Sequence, residues 1–233
     1  MASVRSVAVL TGAGVSAESG VPTFRGEGGL WRNYRAEDLA TPGAFRRNPA
    51  LVWEWYNWRR GLIAPCRPNP AHETLAEMER HFPDFTLITQ NVDGLHSLAG
   101  SDHIVELHGN IWHLRCTRGC RPPWEDRSAD LTDLPPHCPG CGALARPDVV
   151  WFGESLPGPA LQAAWAAAGR CQLMLVVGTS AVVQPAASLP LIAREAGAYL
   201  VEFNPQPTPL SGRVDEAIRE PAAQALPRWW QEF

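Results

Sequence analysis

The sequence contains no lysine, so arginine supplies all 20 of its basic side chains. Against 24 acidic residues this gives a formal net charge of −4, without the basic excess that accompanies nucleic-acid binding. Apolar runs near the ~20 residues that cross a bilayer are also missing, and the stretch after the N-terminus is too short for a secretory signal. We expect a cytoplasmic protein without a nucleic-acid or membrane partner, and we attribute the missing lysine to codon bias.

Cysteine is sparse, and six cysteines in a cytoplasmic chain favour metal binding or reactive thiols over disulfides. The chain has 233 residues, of which 45% are hydrophobic, and it shows no internal repeat. This length suits one domain with an insertion, or one large and one small domain.

A strand predicted over residues 6–10 runs into a glycine turn and then a helix predicted over residues 15–20. Gly12 permits a tight turn, Gly14 lets backbone amides approach a pyrophosphate, and a small Ala17 suits close helix–strand packing. A plain connection between strand and helix is the alternative. The acidic strand end of the usual dinucleotide fingerprint is replaced by a loop, so a bound ribose needs another polar partner.

Four further strands are predicted over residues 85–89, 104–107, 173–177 and 199–203, and polar residues follow each of them. Ligands of open α/β sheets bind at such carboxyl ends, although polar strand ends also occur as ordinary turns. A histidine there suits a general base because its ordinary pKa leaves it largely neutral. The residues concerned are Gln90, Asn91 and Asp93, then His108, then Gly178, Thr179 and Ser180, and finally Asn204.

The segment 37–63 is predicted to be helical with breaks at Pro42 and Pro49, and a second helix is predicted over 69–82. Tyr56 and Arg59 stand three residues apart and share a helix face, where a pocket or solvent are both open possibilities. His72, at a helix start, is expected to bond to backbone. The tail is expected to close the sheet with a final helix.

Two loops could meet a ligand. Phe24 and Arg25 lie in a glycine-rich loop that could close over a cofactor or form an ordered surface turn. The run 146–154 is predicted to be extended, either as a buried strand or as an edge that pairs with a peptide.

Cys116, Cys120, Cys138 and Cys141 follow the spacing C-x3-C-x17-C-x2-C, which is typical of a structural zinc site. Four thiolates leave no open position on the metal, and the polar, proline-rich segment between the pairs needs such a staple. Free or paired thiols are the alternative. Cys66 and Cys171 are interpreted as packing residues.

In this order the motifs resemble those of the sirtuins, NAD-dependent protein lysine deacylases, over nearly the whole chain. The motifs are GAGVSAESG at 12–20, TFR at 23–25, TQNVD at 89–93, LHG at 107–109, the four cysteines, VVWFGE at 149–154, GTS at 178–180 and Asn204.

The resemblance implies an α/β fold, with a Rossmann-like parallel sheet and a small domain of zinc-binding and helical parts. The NAD-binding domain would comprise 1–30, 75–111 and 149–233. The small domain would comprise a helical insertion at 31–74 and a zinc module at 112–148.

The resemblance also implies roles for individual residues. His108 would be the base and Asn91 would hold the ribose and a water. Substrate contacts would come from Tyr56, Arg59, Val149, Trp151, Phe152 and Gly153. Cofactor contacts would come from Gly12, Ala13, Gly14, Ser16, Glu18, Phe24, Arg25, Trp31, Gln90, Asn91, Asp93, Gly178, Thr179, Ser180, Asn204 and Ala222.

The implied reaction removes an acyl group from lysine with consumption of NAD and releases nicotinamide, O-acyl-ADP-ribose and free lysine. Ala36, Ala40, Tyr56 and Arg59 match class III sirtuins, whose pockets admit malonyl and succinyl as well as acetyl groups. Glu27 and the sequence Glu220-Pro-Ala222 depart from some relatives near the cofactor. A mono-ADP-ribosyltransferase and an NAD-sensing zinc-ribbon binding module are the alternative functions, and a monomer is assumed.

Overall fold

The computed structural model describes residues 4–22, 30–31 and 34–233. Its strands fall where apolar β-branched runs occur and also at several places that periodicity alone did not indicate. In chain order they are β1 (Ser6–Thr11), β2 (Leu30–Trp31), β3 (Tyr34–Arg35), β4 (Asp84–Thr89), β5 (Ile104–Glu106), β6 (Gly109–Cys116), β7 (Trp124–Glu125), β8 (Ala145–Val149), β9 (Leu173–Val177), β10 (Tyr199–Phe203) and β11 (Glu216–Ile218).

Several helices begin with a proline that follows a capping side chain. Pro42 and Pro49, predicted as breaks, are the first residues of two helices, each preceded by a capping side chain, Thr41 or Asn48. The helices are α1 (Ala13–Ala17), α2 (Ala36–Leu39), α3 (Pro42–Arg47), α4 (Pro49–Ile63), α5 (Pro70–His81), α6 (Leu95–Leu98), α7 (Gly158–Arg170), α8 (Leu189–Glu195) and α9 (Ala222–Glu232). None of the helices in the described ranges has the length and apolarity needed to cross a membrane.

A parallel sheet in the order β11-β10-β9-β1-β4-β5 forms the larger part of the molecule. Its central strands are apolar on both faces because helices cover both. Val7 and Val9 of β1 pack toward α5 and α9, and the alternate residues Ala8 and Leu10 pack toward α7 and α8. This confirms the predicted α/β fold with a Rossmann-like sheet.

A second core lies between α2–α4 and the small antiparallel sheet β7-β6-β8. Trp53 and Tyr56 of α4 are fully buried there against Ile111 and Leu114 of β6. The predicted helical insertion and zinc module therefore pack as one unit. The domain boundaries 31–74 and 112–148 themselves stay a prediction.

Two expectations for the backbone are wrong. The first helix spans Ala13–Ala17 rather than 15–20, because Gly12 is already its extended N-cap and the chain turns at Gly20 with φ +87°. The run 146–154 is not extended throughout. Strand β8 ends at Val149, and a turn follows because the Glu154 carboxylate accepts from Trp151 N at 2.9 Å and Gly153 has φ +86°.

Gly109 joins the parallel sheet to the small sheet, and we expect it to tolerate no side chain. Its φ is +75° and a Cβ there would lie 2.0 Å from Asp148 O, whereas Gly100, with φ +93°, has nothing within 4 Å. Gly100→Ala should lower the free energy of unfolding by about 1–2 kcal/mol for the left-handed backbone alone. Gly109→Ala should lower it by about 1–3 kcal/mol more, because the added carbon overlaps a carbonyl. Urea unfolding of both variants measures the difference, and equal losses would contradict the steric argument.

Candidate active site

The carboxyl edge of the parallel sheet brings two glycine-containing loops into backbone contact. Gly12 N donates to Val177 O at 3.1 Å and Gly14 N to Gly178 O at 2.8 Å. A Cβ on Gly14 would lie 2.7 Å from Gly178 O, so glycine is needed for the loops to meet. We predicted that Gly14 opens the way to a pyrophosphate. Its own amide is instead engaged by the neighbouring loop, while its contact with a cofactor stays a prediction.

The polar residues after β4 lie against this pair of loops. Asn91 Nδ2 donates to Gly12 O at 3.1 Å and to Ser16 Oγ at 3.2 Å. Gln90 Nε2 donates to Thr179 Oγ1 at 2.9 Å. Asp93 is 4% exposed, and burial raises the pKa of its carboxyl. Residues from three strand ends therefore converge at one edge, as the sequence indicated.

His108 lies at the same edge in a defined tautomer. Its Nδ1 is 2.9 Å from Gln90 O, and because a carbonyl only accepts, Nδ1 carries the hydrogen. The other nitrogen, Nε2, then keeps its lone pair. Burial lowers the pKa of His108 below its ordinary value, which favours the neutral ring. The arrangement suits a general base.

Beneath these residues lies a buried polar layer that the sequence did not reveal. Thr11 and Thr89 are paired across β1 and β4, and their hydroxyls lie 2.8 Å apart, with His96 Nε2 3.0 Å from Thr11 Oγ1. The sequence signal for these residues is weak. Thr11 and Thr89 are single threonines at strand ends, and His96 is a single histidine in the short helix α6. His72 accepts from Asn69 N at 3.3 Å, which confirms the predicted backbone bond, and burial lowers its pKa to about 4.

A second group of predicted residues surrounds Tyr56. Its fully buried hydroxyl accepts from Trp151 Nε1 at 2.8 Å, and burial raises the pKa of the phenol. The Arg59 guanidinium lies 5.1 Å from the Trp55 ring centre. Burial lowers the pKa of Arg59, while the nearby Tyr56 and Asp93 act in the opposite direction. Tyr56 is thus fully buried and Arg59 half-buried, one helical turn apart on α4.

Small residues of the α2 region border the turn that follows β8. Ala36 and Ala40 are buried, and Ala40 O accepts from Phe152 N at 2.9 Å. The Phe152 ring is 54% exposed and Val149 is buried at the end of β8. The loop that we expected to meet substrate is therefore attached to the helical insertion.

The other predicted cofactor residues have varied settings. Asn204 Nδ2 donates to Thr179 O at 2.8 Å, and Ser180 is exposed. The Glu18 carboxylate accepts from Ala223 N at 2.9 Å, which joins it to the start of α9 beside Ala222. Phe24, Arg25 and Glu27, together with the side chain of Trp31, lie outside the described residues, and the half-buried Ala13 begins α1.

The four cysteine sulfurs Cys116, Cys120, Cys138 and Cys141 all lie within 4.8 Å of one another. A tetrahedral zinc with Zn–S bonds of about 2.3 Å places its sulfurs about 3.8 Å apart, so the cluster fits this metal. Backbone amides at Cys120 and Arg118 lower the pKa of Cys116, while the neighbouring cysteines raise the pKa of Cys120, so the first proton leaves the cluster most easily from Cys116.

The remaining two cysteines lie apart from this cluster, in buried positions. Burial raises the pKa of Cys66 and raises that of Cys171 to about 11. Such thiols stay protonated at neutral pH and are poor nucleophiles, in keeping with the packing role that we predicted.

The geometry defines a class of protein. Its members combine a Rossmann-like parallel sheet, polar residues at the strand ends and a small subdomain with four clustered cysteines. A protein-family model described as the Sir2 family matches residues 12–185. The chain is 53% identical over 221 residues to a protein of Aquifex aeolicus (strain VF5) named NAD-dependent protein deacylase, covering 95% of this chain and 92% of that protein.

Two solved structures are also similar over 99% of this chain. One is a Sir2 homolog–NAD complex, with 47% identity, a TM-score of 0.93 and 90% of that chain covered. The other is a mutant Sir2 homologue in complex with 2′-O-acetyl ADP ribose, with 48% identity, a TM-score of 0.92 and 92% of that chain covered. The chain belongs to the Sir2 family, which confirms the resemblance to sirtuins.

We expect the cysteine cluster to hold one structural zinc per chain. Cys138→Ala should lose the metal and unfold the small domain, because strands β6 and β8, which adjoin the cysteine cluster, share a core with α4. Cys66→Ala, which removes a buried thiol outside the cluster, is the matched control and should keep stoichiometric zinc. Metal analysis and circular dichroism of the purified variants measure both effects. Folded, active protein after complete chelation would disprove the structural role.

Proposed function

We propose that this chain is an NAD-dependent protein lysine deacylase that removes acetyl and also succinyl and malonyl groups. The reaction would consume one NAD and one water for each acyl-lysine and would release nicotinamide, O-acyl-ADP-ribose and free lysine. The observation that carries the proposal is His108, whose Nδ1–H is held by Gln90 O so that Nε2 is a neutral base at the sheet edge. The names of relatives and the similarity to an NAD complex support the cofactor.

The strand-end loops provide the proposed cofactor site. Gly12, Ser16, Asn91 and Thr179 meet there, and Asn204 is attached to the same loop through Thr179 O. Bound NAD supplies a ribose that gives up nicotinamide and accepts the acyl group. A Sir2 homologue solved with 2′-O-acetyl ADP ribose supports that product class.

The protein's own part in this reaction is to orient groups and move a proton. His108 Nε2 takes a proton from a ribose hydroxyl. Asn91 holds ribose and water, with its amide fixed by Gly12 O and Ser16 Oγ. Asp93 is assigned to the nicotinamide amide. Fixed, buried groups need little rearrangement when the reaction occurs.

Loss of the base gives a direct test. His108→Ala should stay folded and lose ~10²–10⁴-fold in turnover. His103→Ala is the control, because His103 is a surface residue whose side chain is 73% exposed and pairs with Glu79. Since burial lowers the pKa of His108, wild-type kcat/KM should fall as pH is lowered and the ring protonates, with a midpoint below pH 6.5. A midpoint above pH 6.5, or a His108→Ala variant with a tenth of wild-type turnover, would assign the base elsewhere.

The acyl preference rests on α4. The fully buried Tyr56 and the half-buried Arg59 lie one helical turn apart, and small Ala36 and Ala40 lie at the adjoining α2 region. A phenol and a guanidinium can bind the distal carboxylate of a succinyl or malonyl group, the guanidinium in bidentate geometry. Small side chains such as Ala36 and Ala40 do not exclude acetyl, so deacetylation is expected beside the longer groups.

The ratio of activities on two acyl groups tests this pocket. Arg59→Met should lose ~30- to several-thousand-fold in kcat/KM on a succinyl peptide, the usual cost of removing one member of a buried charge pair. On the acetyl version of the same peptide the loss should be far smaller. If the succinyl-to-acetyl ratio is the same in wild type and variant, the carboxylate pocket is refuted and a general deacylase remains.

Two alternative functions share the cofactor site. A mono-ADP-ribosyltransferase would add ADP-ribose to a protein, and an NAD-sensing module would leave an acyl peptide unchanged. Mass spectrometry of an acyl peptide incubated with NAD distinguishes all three. His108 and Asn91 at adjoining strand ends favour the enzyme. Acylated proteins are the proposed partners, without nucleic acid or membrane, and the chain is proposed to act as a monomer in the cytoplasm, where zinc-binding thiols stay reduced.

A further inference from the structure

The geometry points to an anion-binding cleft between α3, strands β6 and β8, and the loop that follows β6. This cleft binds acidic residues that flank the acyl-lysine of a protein substrate. This inference rests on the proposed function. The cleft has a volume of about 640 Å³, which is within the range of ligand sites. Its ionisable lining residues other than cysteine are Arg46, Arg115, Arg118, Arg121, Arg146 and Asp148.

Not all of these arginines are available to a ligand. Arg146 is already bound to Glu154, with both Nη atoms within 2.9 Å of the carboxylate, and it serves the structure. Arg115 is paired only loosely, because its Nη1 and Nη2 atoms lie 3.7 Å from an Asp148 carboxylate oxygen and 3.8 Å from a Glu154 carboxylate oxygen.

Two further arginines are free to reach a ligand. Arg46 and Arg118 are exposed, and within the described part of the chain no acidic group lies within 4.0 Å of either. The cleft thus presents guanidinium groups whose charge is not neutralised locally.

The zinc site reduces this positive charge without removing it. Four thiolates around one Zn²⁺ carry a net charge of −2, and Cys116 lines the cleft. Arg46 lies on α3, whereas Arg115 and Arg118 are one and two residues away from Cys116 in the sequence. Substitution of Arg46 therefore does not alter a residue next to a metal-binding cysteine. Arg46 is therefore the residue on which the test is built.

The cleft adjoins the proposed acyl site through one side chain. Trp151 lines the cleft, and its Nε1 donates to the Tyr56 hydroxyl at 2.8 Å. The next residue, Phe152, has an exposed ring. An extended peptide advances about 3.3 Å per residue, and the proposal places the residues that flank the acyl-lysine in this cleft.

An acidic peptide suits this cleft better than a nucleic acid does. The unpaired guanidiniums are gathered in one pocket of a chain whose net charge is −4, whereas nucleic acid needs a longer basic stripe along its phosphates. Carboxylate and guanidinium groups match in charge and geometry. The predicted preference is for Asp or Glu near the modified lysine.

The experiment compares acetyl-lysine peptides that differ only in flanking Asp, Asn or Arg residues. Wild type should favour the Asp peptide over the Asn peptide by about 2- to 30-fold in kcat/KM, the range for two exposed ion pairs. The effect should appear in KM rather than kcat and should fade in 0.5 M salt. Arg46→Glu should lower the ratio of kcat/KM on the Asp peptide to that on the Asn peptide, while Arg115 and Arg118 remain in the cleft. Arg47→Glu, on the same last turn of α3 but outside the cleft, should keep the wild-type order.

Several outcomes would overturn the inference. One is an equal kcat/KM for all three peptides in wild type. Another is an equal change of the Asp-to-Asn ratio of kcat/KM in Arg46→Glu and Arg47→Glu, which would indicate only the long-range electrostatic field of the protein. If no peptide is deacylated, the proposed function fails separately, and fluorescence anisotropy of the labelled Asp peptide still tests the cleft with the same variants. Single-stranded DNA that displaces this peptide and depends on Arg46 more strongly than the peptide does would assign the cleft to nucleic acid instead.

Discussion

The candidate site depends on the direct backbone contact between the loops after β1 and β9. These strands are parallel neighbours in register, so their carboxyl ends are adjacent. Gly178 has φ +60°, and a Cβ there would lie 2.3 Å from Val15 N. With any side chain at this point, α1 would move away from the sheet. Ser16, and with it one hydrogen bond of Asn91, would move too, so the side chain that we propose to hold the ribose is positioned by a contact that contains no side chain.

The polar layer under the site keeps this arrangement rigid. Buried hydroxyls and imidazoles cost free energy unless they are bonded, and most of them here are. Among the described residues, only His96 Nδ1 and Ser101 Oγ are buried side-chain atoms without a hydrogen-bond partner. Both ring nitrogens of His72 and the Asn91 amide do have partners, which permits few alternative rotamers, so these two side chains have defined orientations before any ligand arrives.

Local pattern predicted the central strands, the helical segment 37–63 with breaks at Pro42 and Pro49, the helix that begins near Asn69, and the convergence of polar strand ends, because each of these follows from periodicity, from proline or from one parallel topology. It did not predict β6 or β11, whose residues pair with distant segments rather than showing a distinct apolar pattern. The turn after Val149 was missed for the same reason, since the Glu154 carboxylate ends the strand by a side-chain bond. The contact of Gly14 with Gly178 joins residues far apart in sequence, and no spacing rule contains it.

The missing lysine acquires a physical meaning in the small domain. Arg60 is fully buried, with its guanidinium within 5.7 Å of the Trp53 and Trp112 ring centres and both Nε and Nη2 donating to Ile111 O. Arg146 lies 3.3 Å from the centre of the Trp151 ring while it binds Glu154. A planar guanidinium can stack on a ring and donate in its own plane at once, and a lysine ammonium cannot. We attribute the absence of lysine from the chain to codon bias, but at these positions the packing itself requires arginine.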